Sequence, residues 1–175
     1  MKNIKYFLQF ICIIFLFGIF KIIGLKFSRF LSGNIMTLFG PMFRSKRIIF
    51  SNLSKAFPNL DEKERKKILK KMWFNYGQIF SEYMFIKDFR LNQIGKKNIV
   101  IENQNILEKV KKDSKPVIFI SGHFNNFELL AMQIEKSGID LAALYRPLNN
   151  KFLNPLMENI RKKYICRKQI KKGIS

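Results

Sequence analysis

Residues 116–138, PVIFISGHFNNFELLAMQIEKSG, decide the fold. Pro116 opens a short run, VIFIS, dense in β-branched and aromatic side chains and bounded by proline and glycine, which predicts a buried strand. GHFNN reads as a loop, and FELLAMQIEK as a helix ended by Gly138. DLAALY, residues 140–145, has the composition of another strand. Strand, helix and strand at this spacing imply parallel pairing through a right-handed crossover. Upstream, NIVIEN (98–103) reads as a further strand, and NILEKVKKDS (105–114) as an amphipathic helix with Ile106, Leu107 and Val110 inward. The region after Gly95 is therefore expected to be α/β. Its tail, Lys162 to Ser175, is basic and without apolar periodicity, and is expected to fray.

The other end of the chain has a different character. Ile4 to Leu25 reads IKYFLQFICIIFLFGIFKIIGL, unbroken in its apolar run from Phe10 to Phe20. Crossing a bilayer takes roughly 20 apolar residues, and Lys5 and Lys21 stand where their ammonium groups can reach water. A cleaved signal peptide shares the basic start and apolar middle, but no small-x-small cleavage pattern follows. Lys21, Lys26 and Arg29 follow the span, then Arg44, Lys46 and Arg47. By the positive-inside tendency the body stays cytoplasmic on a single-pass anchor.

Residues 27–57 read as amphipathic helix interrupted at Gly40-Pro41, because proline lacks the backbone donor a helix interior needs. Pro58-Asn59 is a turn signal, and Asp61 with Glu64 has the spacing of a capping box. In the helix that follows, Ile68, Met72, Tyr76, Phe80 and Met84 form a stripe widened by Trp73 and Tyr83, expected to be core. The chain thus divides into an anchor helix (1–26), a membrane-associated helical segment (27–94) and the first part of an α/β domain (95–175).

The composition is consistent with this division. Of 175 residues 47% are hydrophobic, enough for a core, and 19 phenylalanines suit lipid contact as well as packing. A net charge of +21 fits an anionic partner: lipid, phosphorylated substrate or nucleic acid. No nucleic-acid-binding motif accompanies the charge, and a hydrophobic anchor would be out of place in such a protein. Cys12 and Cys166 are too far apart in sequence and too few to suggest a disulfide framework or a zinc site.

His123 is the one histidine, set just past the carboxyl end of an expected strand, where open α/β sheets place ligands. Glu128 follows five residues later. On one continuous helix the two side chains would point about 140° apart; they meet only if His123 lies in the loop and Glu128 in the first helical turns. A carboxylate beside an imidazole fixes its tautomer and stabilises the imidazolium, which equips the pair to activate a hydroxyl. With no second histidine, zinc has no ligand set. Ser121 lacks the Gly-x-Ser-x-Gly elbow of a serine hydrolase.

GHFNNFELL resembles the His-x4-Asp/Glu block of the glycerolipid acyltransferase superfamily, in the glutamate form of the bacterial lipid A lauroyl and myristoyl acyltransferases. YRPLNNKFLNPLMENIR is similar to that family's next block, RIIFSNLSKAFPNLDEKER to its Asn-Leu…Phe-Pro segment, and NYGQIFSEY to its Asn-x-Gly…Glu stretch, all in the family's order. The resemblance implies an inner-membrane enzyme that moves a fatty acyl group from acyl carrier protein to a hydroxyl of a lipid A precursor, without metal or organic cofactor. It makes His123 the general base, Glu128 its orienting partner and Arg146 a positioning or charge-stabilising group. Our own reading adds Tyr145, Asn125 and Asn126 at the substrate, with amides at Asn125 or Asn126 facing the developing oxyanion. Phosphorylated precursor, anionic membrane and acidic carrier protein then account for the charge, with no role for nucleic acid. A glycerolipid or other glycolipid acceptor would need the same base chemistry. An inactive lipid-binding relative would keep the anchor without the activity. Family members continue past the Tyr-Arg-Pro block through further strands and an Asp-containing motif not found here, so an open sheet edge is expected.

Overall fold

In the computed structural model, which describes residues 2–94, 98–113 and 115–173, the chain is mostly helical with one small parallel sheet. Helix α1 (Lys2–Phe39) is followed by a 3-10 turn (Gly40–Met42), α2 (Lys46–Ala56) and α3 (Glu62–Glu82). A second 3-10 turn (Tyr83–Phe85) leads to α4 (Ile86–Arg90), then α5 (Gln104–Asp113), α6 (Glu128–Lys136), β1 (Ala142–Tyr145), α7 (Leu153–Tyr164) and β2 (Lys168–Lys171). The residues gather into two compact units, Phe17–Met84 and Met1–Leu16 with Phe85–Ser175. Gly95, where the sequence pattern changes, Ser114 at the end of the expected helix, and Ile174 and Ser175 of the tail lie outside the described residues.

The local signals of the Phe17–Met84 unit hold. α1 is long and apolar enough to cross a membrane, and the serine after its break bonds to the helix's own carbonyls. At Gly24 the backbone leaves the helical region (φ 78°, ψ 168°), and Ser28 Oγ donates to Phe20 O at 2.8 Å and Gly24 O at 2.7 Å. Gly40-Pro41 ends the helix in a 3-10 turn, and Pro58-Asn59 forms the turn before α3. The capping box closes: Glu64 N donates to Asp61 Oδ1 at 2.7 Å, and Asp61 N to Glu64 Oε2 at 3.1 Å.

The stripe expected to be core on α3 is rotated by one residue. The buried line runs Leu69, Trp73, Gly77, Ser81, while Tyr76 is half exposed and Ile68, Met72, Phe80, Tyr83 and Met84 are only partly covered. Small residues set the rotation. A Cβ on Gly77 would lie 2.2 Å from Ser32 O, and one on Gly33 2.7 Å from the Phe74 ring. The backbones of α1 and α3 therefore cross in close contact at Ser32-Gly33 and Gly77, and that approach outweighs the larger apolar side chains. Ile49, Leu69 and Trp73 form a core cluster with Met36, Phe50, Leu53 and Met72 packed against it. Gly77→Ala is expected to destabilise the chain by about 1–3 kcal/mol, because the new methyl meets backbone and not a movable side chain. A thermal midpoint in detergent equal to that of the parent would contradict the crossing.

In the other unit the sheet is smaller than expected, and one strand comes from an unexpected place. β1 forms within DLAALY and pairs in parallel with β2, Ala142 opposite Lys168 and Tyr145 opposite Lys171, with α7 between them in sequence. β2 corrects the expectation of a fraying tail. Its residues KQIK are mostly exposed, so composition hides a strand that pairing creates. Neither NIVIEN nor VIFIS is a strand. Val117, Ile118 and Ile120 are exposed, the last two at 87% and 93%, and no described residue pairs with them. A β-branched run becomes a strand only when it pairs with a neighbouring edge; β1 pairs with β2 on one side, and VIFIS does not take the other. α5 forms where expected, but Ile106 is exposed and Leu107 and Val110 are only half-buried.

Helix α7 is fixed at its start by Asn150. Its Oδ1 accepts from Phe152 N (3.0 Å) and Leu153 N (3.3 Å), and its Nδ2 donates to Tyr6 O (2.9 Å) on α1. The Phe152 ring meets Phe7 edge-on at 5.5 Å and Phe10 at 6.2 Å.

Candidate active site

The site is built from the loop before α6, the first turn of α6, the end of β1 and the buried face of α7. Asn125 turns the chain into α6 with φ 47°, a left-handed conformation that asparagine tolerates better than most residues. This places His123 in the loop and Glu128 at the first helical position, as the spacing requires. Gly138 ends the helix run with φ +86°.

The two side chains then go different ways. The imidazole of His123 is exposed and lies against Phe127, ring centroids 4.3 Å apart. None of its described contacts is a hydrogen bond to Glu128. Glu128 is 6% exposed, and its Oε1 accepts from Arg161 Nε at 2.8 Å and Nη2 at 2.6 Å. The guanidinium also sits 5.7 Å over the Tyr145 ring. Tyr145, expected at the substrate, is buried at the end of β1 beneath this pair. Arg146, the next residue, is exposed and makes no hydrogen bond or ion pair among the described residues. Asn126 is buried and Asn125 exposed.

Arg161 is the member that the sequence reading passes over. Leu153, Met157 and Arg161 recur every four residues along α7, and the first two are buried. An arginine on the buried face of an amphipathic helix calls for a buried carboxylate, and Glu128 supplies it.

Beside this pair lies a second charged group. Glu158 is pushed down to about 2, first by the Tyr145 hydroxyl, then by Lys171, whose Nζ is 3.0 Å away, with Asn154 Nδ2 donating at 2.7 Å. The Tyr145 hydroxyl falls outside hydrogen-bond geometry, so Lys171 and Asn154 are the firmer contacts. A depressed carboxyl contributes stability that is present above its ordinary value of 4.5 and is lost as pH falls toward 2. Glu158→Gln is expected to flatten the acid limb of unfolding in that window; an acid titration with an unchanged slope would contradict it. Cys166, unpaired and buried, donates to Leu141 O at 2.9 Å, and burial raises its thiol pKa.

His123 lines an open groove of about 860 Å³ bounded by residues 115–119, the α6 face carrying Leu130, Ala131 and Ile134, and the β1 edge at Ala142–Leu144. The walls are mainly aliphatic, with Lys111 and Lys115 adding positive charge. The volume falls in the range of small-ligand clefts, about 300–1,000 Å³. An imidazole on an aliphatic groove suits transfer chemistry on a long apolar substrate, and no group of acidic, cysteine or histidine side chains among the described residues could hold a metal ion.

The sequence profile of the bacterial lipid A biosynthesis acyltransferases matches residues 1–169. The chain belongs to that family. Comparison with curated proteins and with solved structures gave no match. Membership makes acyl transfer in lipid A biosynthesis the chain's expected chemistry. Within this lipid A acyltransferase-family chain, the match takes in the His123 loop, the Glu128–Arg161 pair and both strands apart from the last two residues of β2.

Proposed function

We propose that the chain moves a fatty acyl group from acyl carrier protein to a hydroxyl of a phosphorylated lipid A precursor, at the bacterial inner membrane with its body on the cytoplasmic side. What carries the reading is the exposed imidazole of the only histidine lining an aliphatic groove. An acyl chain laid along Ala131 and Ile134 gains about 0.8 kcal/mol per buried methylene, and its thioester carbonyl then lies at the His123 end.

In the reaction, the acceptor hydroxyl gives its proton to the imidazole as its oxygen attacks the thioester carbonyl. The tetrahedral intermediate collapses, the C–S bond breaks, and the imidazolium returns the proton to the departing thiolate of the carrier. Ester and free thiol are the products. Glu128, fixed by Arg161 through Oε1, orients the imidazole in the reacting complex, where such contacts tighten relative to the empty site. Phe127 holds the ring until then. Arg146, at the end of β1, meets the acceptor phosphate or the developing oxyanion, together with amides at Asn125 and Asn126. The excess of 33 Lys and Arg over 12 Asp and Glu matches a phosphorylated acceptor, an acidic carrier protein and anionic lipid.

Ala131→Phe puts a ring into the groove. Rates with long-chain acyl carrier protein are expected to fall roughly tenfold or more relative to short-chain donors, the size of effect a pocket gives for one or two methylenes. Equal loss with every chain length would place the acyl chain elsewhere.

A further inference from the structure

The half of α1 after its Gly24 break presents two opposed faces within the Phe17–Met84 unit. Ser28, Ser32 and Gly33 are buried, the last two where α3 crosses. The opposite face carries Phe27, Phe30, Leu31, Asn34 and Leu38, all exposed, and the chain continues with exposed Met42 and Phe43. Phe27, Phe30, Leu38, Met42 and Phe43 are each 66–80% exposed. That contiguous apolar surface is more than a soluble helix normally leaves in water.

Uncharged polar side chains of this stretch bond to the helix's own backbone, which suits hydrocarbon. Asn34 Nδ2 donates to Phe30 O at 2.8 Å, and Thr37 Oγ1 to Gly33 O at 2.8 Å. Ser28 closes the carbonyls freed at the break. Arg29 is neutralised by Glu82 at 3.1 Å on the α3 side. Immediately after the apolar residues come Arg44, Lys46 and Arg47, all exposed. Residues 25–39 measure only about 22 Å as a helix, short of the ~30 Å hydrocarbon layer.

We infer that residues 25–43 lie in the plane of an anionic bilayer as a second membrane contact, separate from the apolar run before Gly24. Phe27, Phe30, Leu38, Met42 and Phe43 enter the outer acyl layer, and Arg44, Lys46 and Arg47 engage lipid phosphates. An apolar face bordered by cations, with protein on the other side, is the arrangement of an interfacial helix. The inference is independent of the acyl-transfer chemistry.

Fluorophores placed by Leu38→Cys, Met42→Cys and Lys67→Cys, each in the full chain with Cys12→Ser, test it in phosphatidylglycerol-containing vesicles. Quenching at 38 and 42 by lipids spin-labelled near the head group should exceed that at 67 roughly threefold, and exceed quenching by lipids labelled at the chain end. Quenching no greater than at 67 means that protein, including a second copy, covers the face, and overturns the inference. So does quenching strongest from the chain-end label, which marks a segment crossing the bilayer. The R44Q/K46Q/R47Q chain should lose the difference between anionic and pure phosphatidylcholine vesicles; retention of that difference removes the lipid-phosphate contact.

Discussion

Replacing His123 with alanine is expected to slow acyl transfer roughly a hundred- to ten-thousandfold, the usual contribution of a positioned general base. The ring is exposed and its one described contact is with Phe127, so folding should be almost unchanged. Matched thermal midpoints with a collapsed rate therefore assign the loss to chemistry. A rate within a few-fold of the parent would move the base to another residue, and no second imidazole exists to take the role.

Arg161→Ala should be the most destabilising single change at the site, by about 3–5 kcal/mol, because it leaves the Glu128 carboxylate buried without its guanidinium. Side-chain exposure of 13% for Arg161 and 7% for Glu128 leaves little water to compensate. The double change Arg161→Met with Glu128→Gln should recover much of that stability, since removing both charges removes the desolvation penalty. Its activity should not return. Denaturation of both chains in detergent, beside acyl transfer rates, separates the two effects. Similar stability in the single and double variants would mean that the pair does not organise α6 against α7.

These two results fall on either side of what sequence could reveal. His123 is legible because it is the only imidazole and sits between a loop glycine and a helix. Arg161 lies 33 positions from Glu128, and only folding α7 against α6 brings them together; the one sequence clue is a cation at a buried helical spacing. The same division runs through the fold. The Asp61–Glu64 box, the Pro58 turn, the Gly40-Pro41 stop and the Gly138 cap are set by residues within a few positions of each other, and each forms. β2 depends on a partner 26 residues away in register, and its lysine-rich composition carries no strand signal. VIFIS has the composition of a strand but pairs with no edge among the described residues, the free side of β1 included. The rotation of α3 turns on what Gly77 lacks, since the absence of a Cβ lets the Ser32 carbonyl approach.

The lipid A precursor itself gives the most direct test of the proposed reaction. Membranes carrying the chain, supplied with acyl carrier protein bearing a fatty acyl group and with phosphorylated precursor, should yield precursor heavier by one ester-linked acyl chain in mass spectrometry. Precursor of unchanged mass, with the acyl group recovered as free acid or on a glycerolipid, would contradict the account.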